Sequence, residues 1–482
     1  MNLAAVAYIM GLLTAGLGSF MLLPGLAGVY FGDKDGTQFM VCGLMVLALG
    51  GLLVVMNKDR ELELGHREGF LITFLSWAGL SILAAWPLYV THAAPTWADA
   101  WFEAVSGLTT TGATIMTGLD AKGHGVLLWR SLLQWLGGMG IVVLAVAVLP
   151  FLGVGGMQMY RSELPGVTKD KLQPRLRQTA QALWLVYFVF TALCGGLYWL
   201  GGMNGFDAVC HAMTTLSSGG FSTHDASFGY FAGNVFLEGV CMVFMLAAAV
   251  NFTLHYRLFS GWGAKAYNDI ELKVMLAVIG GAALCIALVL ALEGLLPFGH
   301  GLWLGAYNVI SLISTTGFTN VDYSQWPVGL VIGLLVLMFM GGCSGSTSGG
   351  MKVLRIWVIV QEGRQELFRL LHPFAVRPVK VGKAVVSPVV MQAVAAYAGL
   401  YILTFAVVSV LVAATGVDIV TAFSTSIATL GNVGPALGEA GPAGNFAGLP
   451  QAAKVILTWA MLLGRLELYT VILVFVPRFW RP

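Results

Sequence analysis

Charge is scarce in this chain. Only 10% of its 482 residues are Asp, Glu, Lys or Arg, whereas 58% are hydrophobic and the mean hydropathy is +0.83. A soluble protein carries about 25% charged residues. The composition therefore excludes a soluble globular protein. It predicts an all-α membrane protein, because helices satisfy their own backbone hydrogen bonds in lipid.

Motifs of catalysis and of metal binding are also missing. No HExxH, GxSxG, dinucleotide fingerprint or paired-carboxylate pattern occurs in the sequence. The six cysteines stand singly, without a CxxC pair or a His/Cys cluster that would indicate zinc. An enzyme would have to depend on His211 or His255 with an acid nearby. We therefore expect neither an enzymatic activity nor an organic cofactor.

Long apolar runs are abundant instead. A spanning helix needs about 20 apolar residues. Ten candidates lie near 3–30, 37–57, 69–91, 126–153, 178–201, 232–256, 272–296, 327–361 (interrupted), 388–415 and 452–477. Four semi-apolar stretches are too short to cross, near 97–114, 205–222, 302–319 and 418–435. Each of them falls between two spans on the same side of the membrane.

The distribution of Lys and Arg predicts the orientation. Five segments hold 20 of the 25 basic residues, at 58–67, 161–177, 257–273, 352–383 and 478–481. Basic loops remain in the cytoplasm, so both termini are expected inside and the short stretches are expected to enter from outside. The outer face is rich in Asp and Glu. Either these acids concentrate cations at a mouth, or they only reflect the depletion of Lys and Arg.

The four short stretches align without a gap on one glycine each, and glycine is plentiful here, with 62 residues. The aligned glycines are Gly112, Gly220, Gly317 and Gly434. Four residues earlier stand Leu108, Leu216, Ile313 and Leu430. Each copy predicts a short helix, a polar extended strand and a return outward. Glycine serves either close helix packing or irregular backbone that lines a cavity.

This chemistry suits a potassium ion. A K⁺ ion that sheds its water needs a shell of backbone carbonyl oxygens from loops around one axis. Glycine reaches the required backbone conformations at little cost, and helices that end near the axis aim their negative dipole ends at the cation. A single loop of this kind would be an ordinary turn. Four in register predict four helix–pore-loop–helix repeats around one pseudo-four-fold pore, plus two extra N-terminal transmembrane helices.

The loop motifs SGLTTTGAT at 106–114, STTGFT at 314–319 and GNVGP at 431–435 resemble those of the Trk/Ktr/HKT superfamily of cation transporters. The resemblance extends over the chain and is strongest to the TrkH/TrkG type of membrane subunit. It implies potassium uptake across a bacterial inner membrane through a gated, channel-like pore, with glycine in all four loops favouring K⁺ over Na⁺. A symporter that couples K⁺ to H⁺ or Na⁺ is the alternative.

The resemblance also assigns residues and boundaries. The selectivity filter, with K⁺ bound there, would comprise Thr110, Thr111, Gly112, Ser218, Gly219, Gly220, Thr315, Thr316, Gly317, Asn432, Val433 and Gly434. The chain would divide into the N-terminal helices (1–66) and pore repeats at 67–177, 178–264, 265–385 and 386–482. The second and fourth loops depart from the others, at Gly219 and at Asn432-Val433, so we expect only approximate four-fold symmetry.

The eighth span is interrupted. Pro327–Met340 gives about 21 Å of helix at 1.5 Å per residue, short of a core of about 30 Å. Ten small residues follow: Gly341, Gly342, Cys343, Ser344, Gly345, Ser346, Thr347, Ser348, Gly349 and Gly350. We expect either a break within the membrane that obstructs the ion path, or a plain helix end at the cytoplasmic face. The resemblance implies the first, a gating loop.

Arg465 stands midway along the last predicted span. An arginine at a helix centre costs about 2.5–3.5 kcal/mol on insertion scales, so it is expected to face the protein interior or water. Glu467, two residues on, points to another side of the helix. Arg465 either pairs with backbone carbonyls or, as the resemblance implies, places a positive charge beside the pore.

Two cytoplasmic segments, 161–177 and 362–383, are basic and contain turn formers. They suit anionic lipid or a protein partner. The resemblance implies a cytosolic nucleotide-binding subunit of TrkA type and a homodimer of this chain.

Overall fold

The computed structural model describes residues 1–58, 65–147, 172–258, 263, 267–374, 378–382 and 384–481. The helices of the first half are α1 (Leu3–Phe31), α2 (Gly36–Asn57), α3 (His66–Val90), α4 (Trp97–Leu108), α5 (His124–Ala147), α6 (Leu172–Leu200), α7 (Gly205–Leu216), α8 (Val235–Ala249) and α9 (Phe252–Arg257). Those of the second half are α10 (Ile270–Leu292), α11 (Phe298–Ile313), α12 (Val328–Leu337), α13 (Val353–Leu371), α14 (Pro388–Ala413), α15 (Ile419–Leu430), α16 (Gln451–Arg465), α17 (Tyr469–Phe475) and α18 (Pro477–Trp480). A small antiparallel hairpin, β1 (Lys380–Val381) and β2 (Ala384–Val385), precedes α14.

Six helices in the described ranges are long and apolar enough to cross a membrane, namely α1, α2, α3, α6, α10 and α14. A seventh span results if α16 and α17 are counted as one, although their axes differ by 114°. Three of the ten predicted spans are interrupted. Their helices are broken at Val250 and Asn251 between α8 and α9, after Leu337 at the end of α12, and after Arg465 at the end of α16. The basic segment predicted at 161–177 lies outside the described residues up to 171.

The two N-terminal helices pack through glycine. The glycines recur every seven residues on both helices, at Gly11, Gly18, Gly25, Gly36, Gly43 and Gly50. A methyl group on Gly18 would overlap the backbone of Leu47, and one on Gly50 would overlap that of Ala15. The two backbones are therefore in direct contact, which is the close-packing use of glycine in membrane helices.

Four short helices, α4, α7, α11 and α15, lie between the longer ones. Thr96, Asn204 and Asp418 cap the first turn of α4, α7 and α15 with a side-chain oxygen, which satisfies amides that the helix itself leaves free. Each short helix ends four residues before its aligned glycine, at Leu108, Leu216, Ile313 and Leu430. The last turns are buried, so their free carbonyl groups face the protein interior.

Two apolar clusters surround these helices. One includes side chains of α3, α4, α5 and α16, and the other includes side chains of α6–α8 and α10–α12. The polar residues that follow the short helices are enclosed by this packing, and Thr110, Ser218, Thr315 and Asn432 are all 0% exposed. Irregular backbone at membrane depth is tolerated in such surroundings, within protein or along a cavity.

Candidate functional site

Four loops follow the short helices, and we name them glycine loops 1 to 4: 109–113, 217–221, 314–318 and 431–435. Their glycines all have left-handed backbone, with φ of +80° at Gly112, +73° at Gly220, +77° at Gly317 and +105° at Gly434. Only glycine adopts such angles at little cost. The position of the glycine in each loop is therefore a requirement of the backbone.

The residue two positions before each glycine is left-handed as well. These residues are Thr110, Ser218, Thr315 and Asn432, with φ between +51° and +56°. Left-handed backbone is uncommon for residues other than glycine, and four occurrences at one aligned position show that the loops share one conformation. This strained conformation persists because the surrounding packing and hydrogen bonds determine it.

The four glycine loops contact one another in a closed ring. A methyl group on Gly112 would overlap the carbonyl oxygen of Gly219, and one on Gly220 would overlap that of Thr316. A methyl group on Gly317 would likewise overlap the carbonyl oxygen of Val433. The ring closes at Gly434, where a methyl group would lie 2.7 Å from the carbonyl oxygen of Thr111. Each glycine thus allows the backbone of the next loop to approach.

The departure of glycine loop 2 from the pattern has a steric cause. Gly219 stands where loops 1 and 3 have Thr111 and Thr316, and any side chain there would overlap Gln134 on α5. The Gln134 amide donates to the Gly219 carbonyl oxygen at 2.6 Å and accepts from Phe221 N at 3.0 Å. In loop 4, Asn432 donates to Thr111 Oγ1 at 2.9 Å and so joins the first and last loops.

Loop 341–350 lies against this ring on the side opposite the glycines. Thr347 Oγ1 is 2.9 Å from Ser218 Oγ, and Gly349 N donates to Thr315 Oγ1 at 2.7 Å. At the same level of loops 1 and 4, Thr110 Oγ1 and Asn432 Oδ1 are buried without a hydrogen-bond partner among the described residues. Two of the four side-chain oxygens at this level are therefore engaged by loop 341–350, and two are not.

A buried carboxylate binds both loop 341–350 and the first turn of α13 that follows it. Glu271, near the start of α10 and 7% exposed, accepts hydrogen bonds from Ser344 N at 2.7 Å, Ser344 Oγ at 3.1 Å and Leu354 N at 3.0 Å. The loop also takes left-handed backbone at Gly341, Gly345 and Gly350. One acidic side chain of a neighbouring helix therefore contributes to the folded conformation of the loop.

Arg465 lies at the end of α16 and points towards loop 341–350. Its Nη1 donates to the Thr347 carbonyl oxygen at 2.8 Å and its Nη2 to the Gly137 carbonyl oxygen at 3.4 Å, and the residue is 2% exposed. Glu467 does not contact it and pairs instead with Arg355, with Nη2 2.6 Å from Oε2. The guanidinium of Arg465 thus has backbone carbonyl partners, one on loop 341–350 and one on α5.

The sequence analysis did not recognise that polar residues share one aligned position, nine residues before the glycines: Glu103, His211, Asn308 and Thr425. In the first three copies they bond to the segment just after the glycine. Glu103 accepts from Thr114 Oγ1 at 2.9 Å, His211 Nε2 is 3.0 Å from Ser222 Oγ, and Asn308 donates to Asn320 Oδ1 at 2.9 Å. Their shared alignment position is the signal that could have found them.

A cavity opens onto the ring of glycines. All four aligned glycines line it, and its wall includes Arg130, His224 and Asp225. His224 lies between two carboxylates, with Nδ1 2.5 Å from Asp120 Oδ1 and Nε2 3.2 Å from Asp207 Oδ2. The side of the ring that bears the glycines therefore faces this cavity, whereas loop 341–350 covers the other side.

Comparisons with known proteins place the chain among membrane cation transport proteins. A family model described as TrkH, cation transport protein, matches residues 35–481. The Trk system potassium uptake protein TrkH of Halomonas elongata is 45% identical over 489 residues, and that of Escherichia coli K12 is 42% identical over 492 residues, with all of both chains covered in each case. The chain therefore belongs to the TrkH family.

A solved structure agrees with this assignment. The crystal structure of the potassium transporter TrkH from Vibrio parahaemolyticus matches the chain with a TM-score of 0.92 and 39% identity, and each chain is covered completely. The long apolar helices are those of a multi-pass membrane protein of this family. The family membership and a mostly helical membrane fold, both expected from the sequence, are confirmed.

Proposed function

We propose that this chain takes up potassium through the ring of glycine loops, as a gated, channel-like pore. The full-length relatives are named potassium uptake proteins, and the observation that carries the proposal is the closed ring of four glycines and four carbonyl oxygens. The unit of architecture is a helix, a glycine loop and a second helix, repeated four times around one axis after two N-terminal helices. Its boundaries are 67–177, 178–264, 265–385 and 386–482.

The selectivity filter comprises the three residues at the centre of each glycine loop. The first and third of these residues have left-handed backbone, and the second does not. This alternation can direct consecutive carbonyl groups to the same side of the strand. Carbonyl oxygens so arranged replace the hydration shell of K⁺. The buried hydroxyl of Thr110 and amide oxygen of Asn432, which have no partner among the described residues, supply further ligands at the inner end.

Loop 341–350 acts as the gate. Its contacts with Ser218 and Thr315 support a closed state, because the loop covers the inner end of the filter. The positive charge of Arg465, which is hydrogen-bonded to the same loop, opposes cation passage there. Opening requires that the hydrogen bonds from the loop to the filter and to Glu271 be exchanged for others.

The termini and the basic segments face the cytoplasm of a bacterial inner membrane, and there the chain takes its partners. These are a second copy of the chain, in a homodimer, and a cytosolic nucleotide-binding subunit of TrkA type. The clustering of Lys and Arg on one side supports this orientation.

Flux and current measurements on the purified chain in liposomes test the proposal. With a K⁺ gradient across the membrane, the current is expected to reverse at the potassium Nernst potential, independently of pH and of Na⁺. Reversal potentials that depend on the H⁺ or Na⁺ gradient with a fixed stoichiometry would instead establish symport. A preparation that is folded but moves no K⁺ even with loop 341–350 shortened would contradict the proposal.

A further inference from the structure

An ion pair behind the proposed filter joins two of its loops. Arg130 on α5 and Glu103 on α4 are 1% and 0% exposed, and Arg130 Nε lies 2.8 Å from Glu103 Oε1. Nothing in the proposed conduction path requires a charge at this place, and the pair adds no net charge to the mouth. Burying two charges is costly unless their remaining hydrogen-bonding groups are satisfied, so the partners of the pair indicate its role.

Those partners belong to the segments that leave two successive glycine loops. Arg130 Nη1 donates to the Ser222 carbonyl oxygen at 2.8 Å, and Nη2 donates to Thr114 Oγ1 at 3.2 Å. The guanidinium also lies over the ring of Phe221, 4.1 Å from its centroid. One planar group therefore holds the outer ends of glycine loops 1 and 2 at a fixed separation.

Glu103 completes the connection on the side of loop 1. Its two carboxylate oxygens accept from Thr114 Oγ1 at 2.9 and 3.1 Å, and Oε2 also accepts from Ile115 N at 2.9 Å. One turn further along α5, Gln134 binds the centre of loop 2. Loop 2 is thus held at two points by one face of α5, and one of these points is tied to loop 1.

A similar buried polar contact is present in the second repeat, which contains glycine loop 2. Arg130 stands 18 residues after Gly112, and Glu238 stands 18 residues after Gly220. Glu238, on α8 and 3% exposed, accepts from Asn320 Nδ2 at 3.2 Å, just beyond glycine loop 3. The same position of the second helix therefore reaches the following loop in both copies. In the third copy the position is Leu335, on a helix whose residues Val328–Leu337 are all apolar or glycine.

We propose that Arg130 and Glu103 are positioning residues that determine K⁺/Na⁺ discrimination by fixing the separation of glycine loops 1 and 2. The inference rests on the proposed potassium pathway. Discrimination between ions of different radius requires that the carbonyl oxygens do not move inward around the smaller one. A bidentate, planar donor restrains the loops in a way that a single ammonium group does not.

The test compares two conservative variants with a matched control in liposomes. Arg130→Lys retains the charge opposite Glu103 but cannot bond Ser222 and Thr114 together, and Thr114→Val removes only the hydroxyl that joins the pair to loop 1. Trp129→Phe is the control, because Trp129 is equally buried on α5 but donates to Ala84 O at 3.0 Å, away from the loops. Thermal unfolding of each detergent-purified variant establishes that it is folded.

Arg130→Lys is expected to lower the K⁺/Na⁺ permeability ratio about tenfold, the scale set by losing one hydrogen bond to a charged group. Thr114→Val is expected to act in the same direction, and it decides the question if Arg130→Lys does not fold. Trp129→Phe should retain the wild-type ratio. Folded variants with an unchanged ratio, or a control that loses selectivity equally, would overturn the inference. A wild-type chain that conducts no K⁺ would instead refute the proposed pathway.

Discussion

Arg355 Nη2 lies 2.6 Å from Glu467 Oε2, and this ion pair connects two of the three interrupted membrane spans. Arg355 belongs to the first turn of α13, directly after loop 341–350, and its guanidinium lies 4.1 Å from the centroid of the Tyr397 ring. Glu467 occupies the bend between α16 and α17, with φ of +57°. The exit of the proposed gate is therefore attached to the bend of the last span.

Replacing Glu467 with Gln is expected to raise basal K⁺ flux, because loop 341–350 loses this attachment. It should also lower the free energy of unfolding by about 3 kcal/mol, since the buried Arg355 loses its counter-charge. Glu366→Gln is the matched control, because Glu366 forms an exposed ion pair with Arg369 on the same helix, and such pairs contribute about 0–1 kcal/mol. A destabilised Glu467→Gln with unchanged flux would limit the pair to a structural role.

Gly317→Ser is expected to admit Na⁺ and lower the K⁺/Na⁺ ratio. The backbone there is left-handed, and a Cβ atom would overlap the Val433 carbonyl oxygen and approach Pro435 Cδ to 2.8 Å. Loops 3 and 4 must therefore separate. Gly299→Ser, in the first turn of α11 with open space around it, is the control. Reversal potentials under K⁺ and Na⁺ gradients measure the effect, and an unaltered ratio for Gly317→Ser would contradict the filter assignment.

The features that sequence analysis located depend on local signals. The short helices end at the aligned Leu or Ile, and the eighth span is interrupted between Leu337 and Val353, around loop 341–350, because capping residues, glycine and the length of apolar runs act over a few residues. The aligned glycines likewise have the left-handed backbone that their loop requires. Local chemistry was sufficient for these elements.

The features that it missed depend on partners distant in the chain. Glu103 and Arg130 are 27 residues apart, Glu271 and Ser344 are 73 apart, and Arg355 and Glu467 are 112 apart. A single sequence contains no periodicity that pairs such residues. The bend after Arg465 was also unforeseen, because no Gly or Pro occurs between Arg465 and Tyr469. It results from left-handed backbone at Glu467 and Leu468.

Glu271→Gln is expected to increase K⁺ flux. The neutral amide is a weaker acceptor than the carboxylate for Ser344 N and Leu354 N, so loop 341–350 should leave the inner end of the proposed filter more often. A deletion within 341–350 should have a larger effect in the same direction. Asp269→Asn is the control, since Asp269 caps α10 through its side chain and does not bond the loop. Equal flux in Glu271→Gln and wild type would show that the hydrogen bonds of Glu271 do not hold the proposed gate closed.

Arg465→Gln is expected to raise the K⁺ conductance. The guanidinium donates to the Thr347 carbonyl oxygen at 2.8 Å, so its removal both frees the loop and eliminates a positive charge near the cation path. Arg465→Lys separates the two effects, because it retains the charge while losing the planar donor. If Arg465→Lys has the conductance of the wild type, the positive charge accounts for the effect of Arg465. Single-channel recording makes the comparison, and a conductance unchanged in Arg465→Gln would assign Arg465 to structure alone.

His224 is expected to make the stability of the protein depend on pH. Burial alone would lower its pKa, but hydrogen bonds with Asp207 and Asp120 outweigh burial and raise the pKa above 6.5. The hydrogen bond with His224 in turn lowers the pKa of Asp120. The pKa of His224 is raised on folding, so the stabilisation is complete below its unfolded value and is lost as the pH rises through the folded value.

The melting temperature of the wild type is therefore expected to fall as the pH rises above 6.5 and through the raised folded-state pKa of His224, and that of His224→Gln should fall less. Asp207, Asp120, Asp225, His211 and Tyr230 are the titratable groups around His224, and the Tyr230 ring stacks on it at 3.6 Å. Exposed His300 provides the control variant, His300→Gln. Parallel pH profiles for wild type and His224→Gln would show that the ion pairs at the mouth do not stabilise the fold.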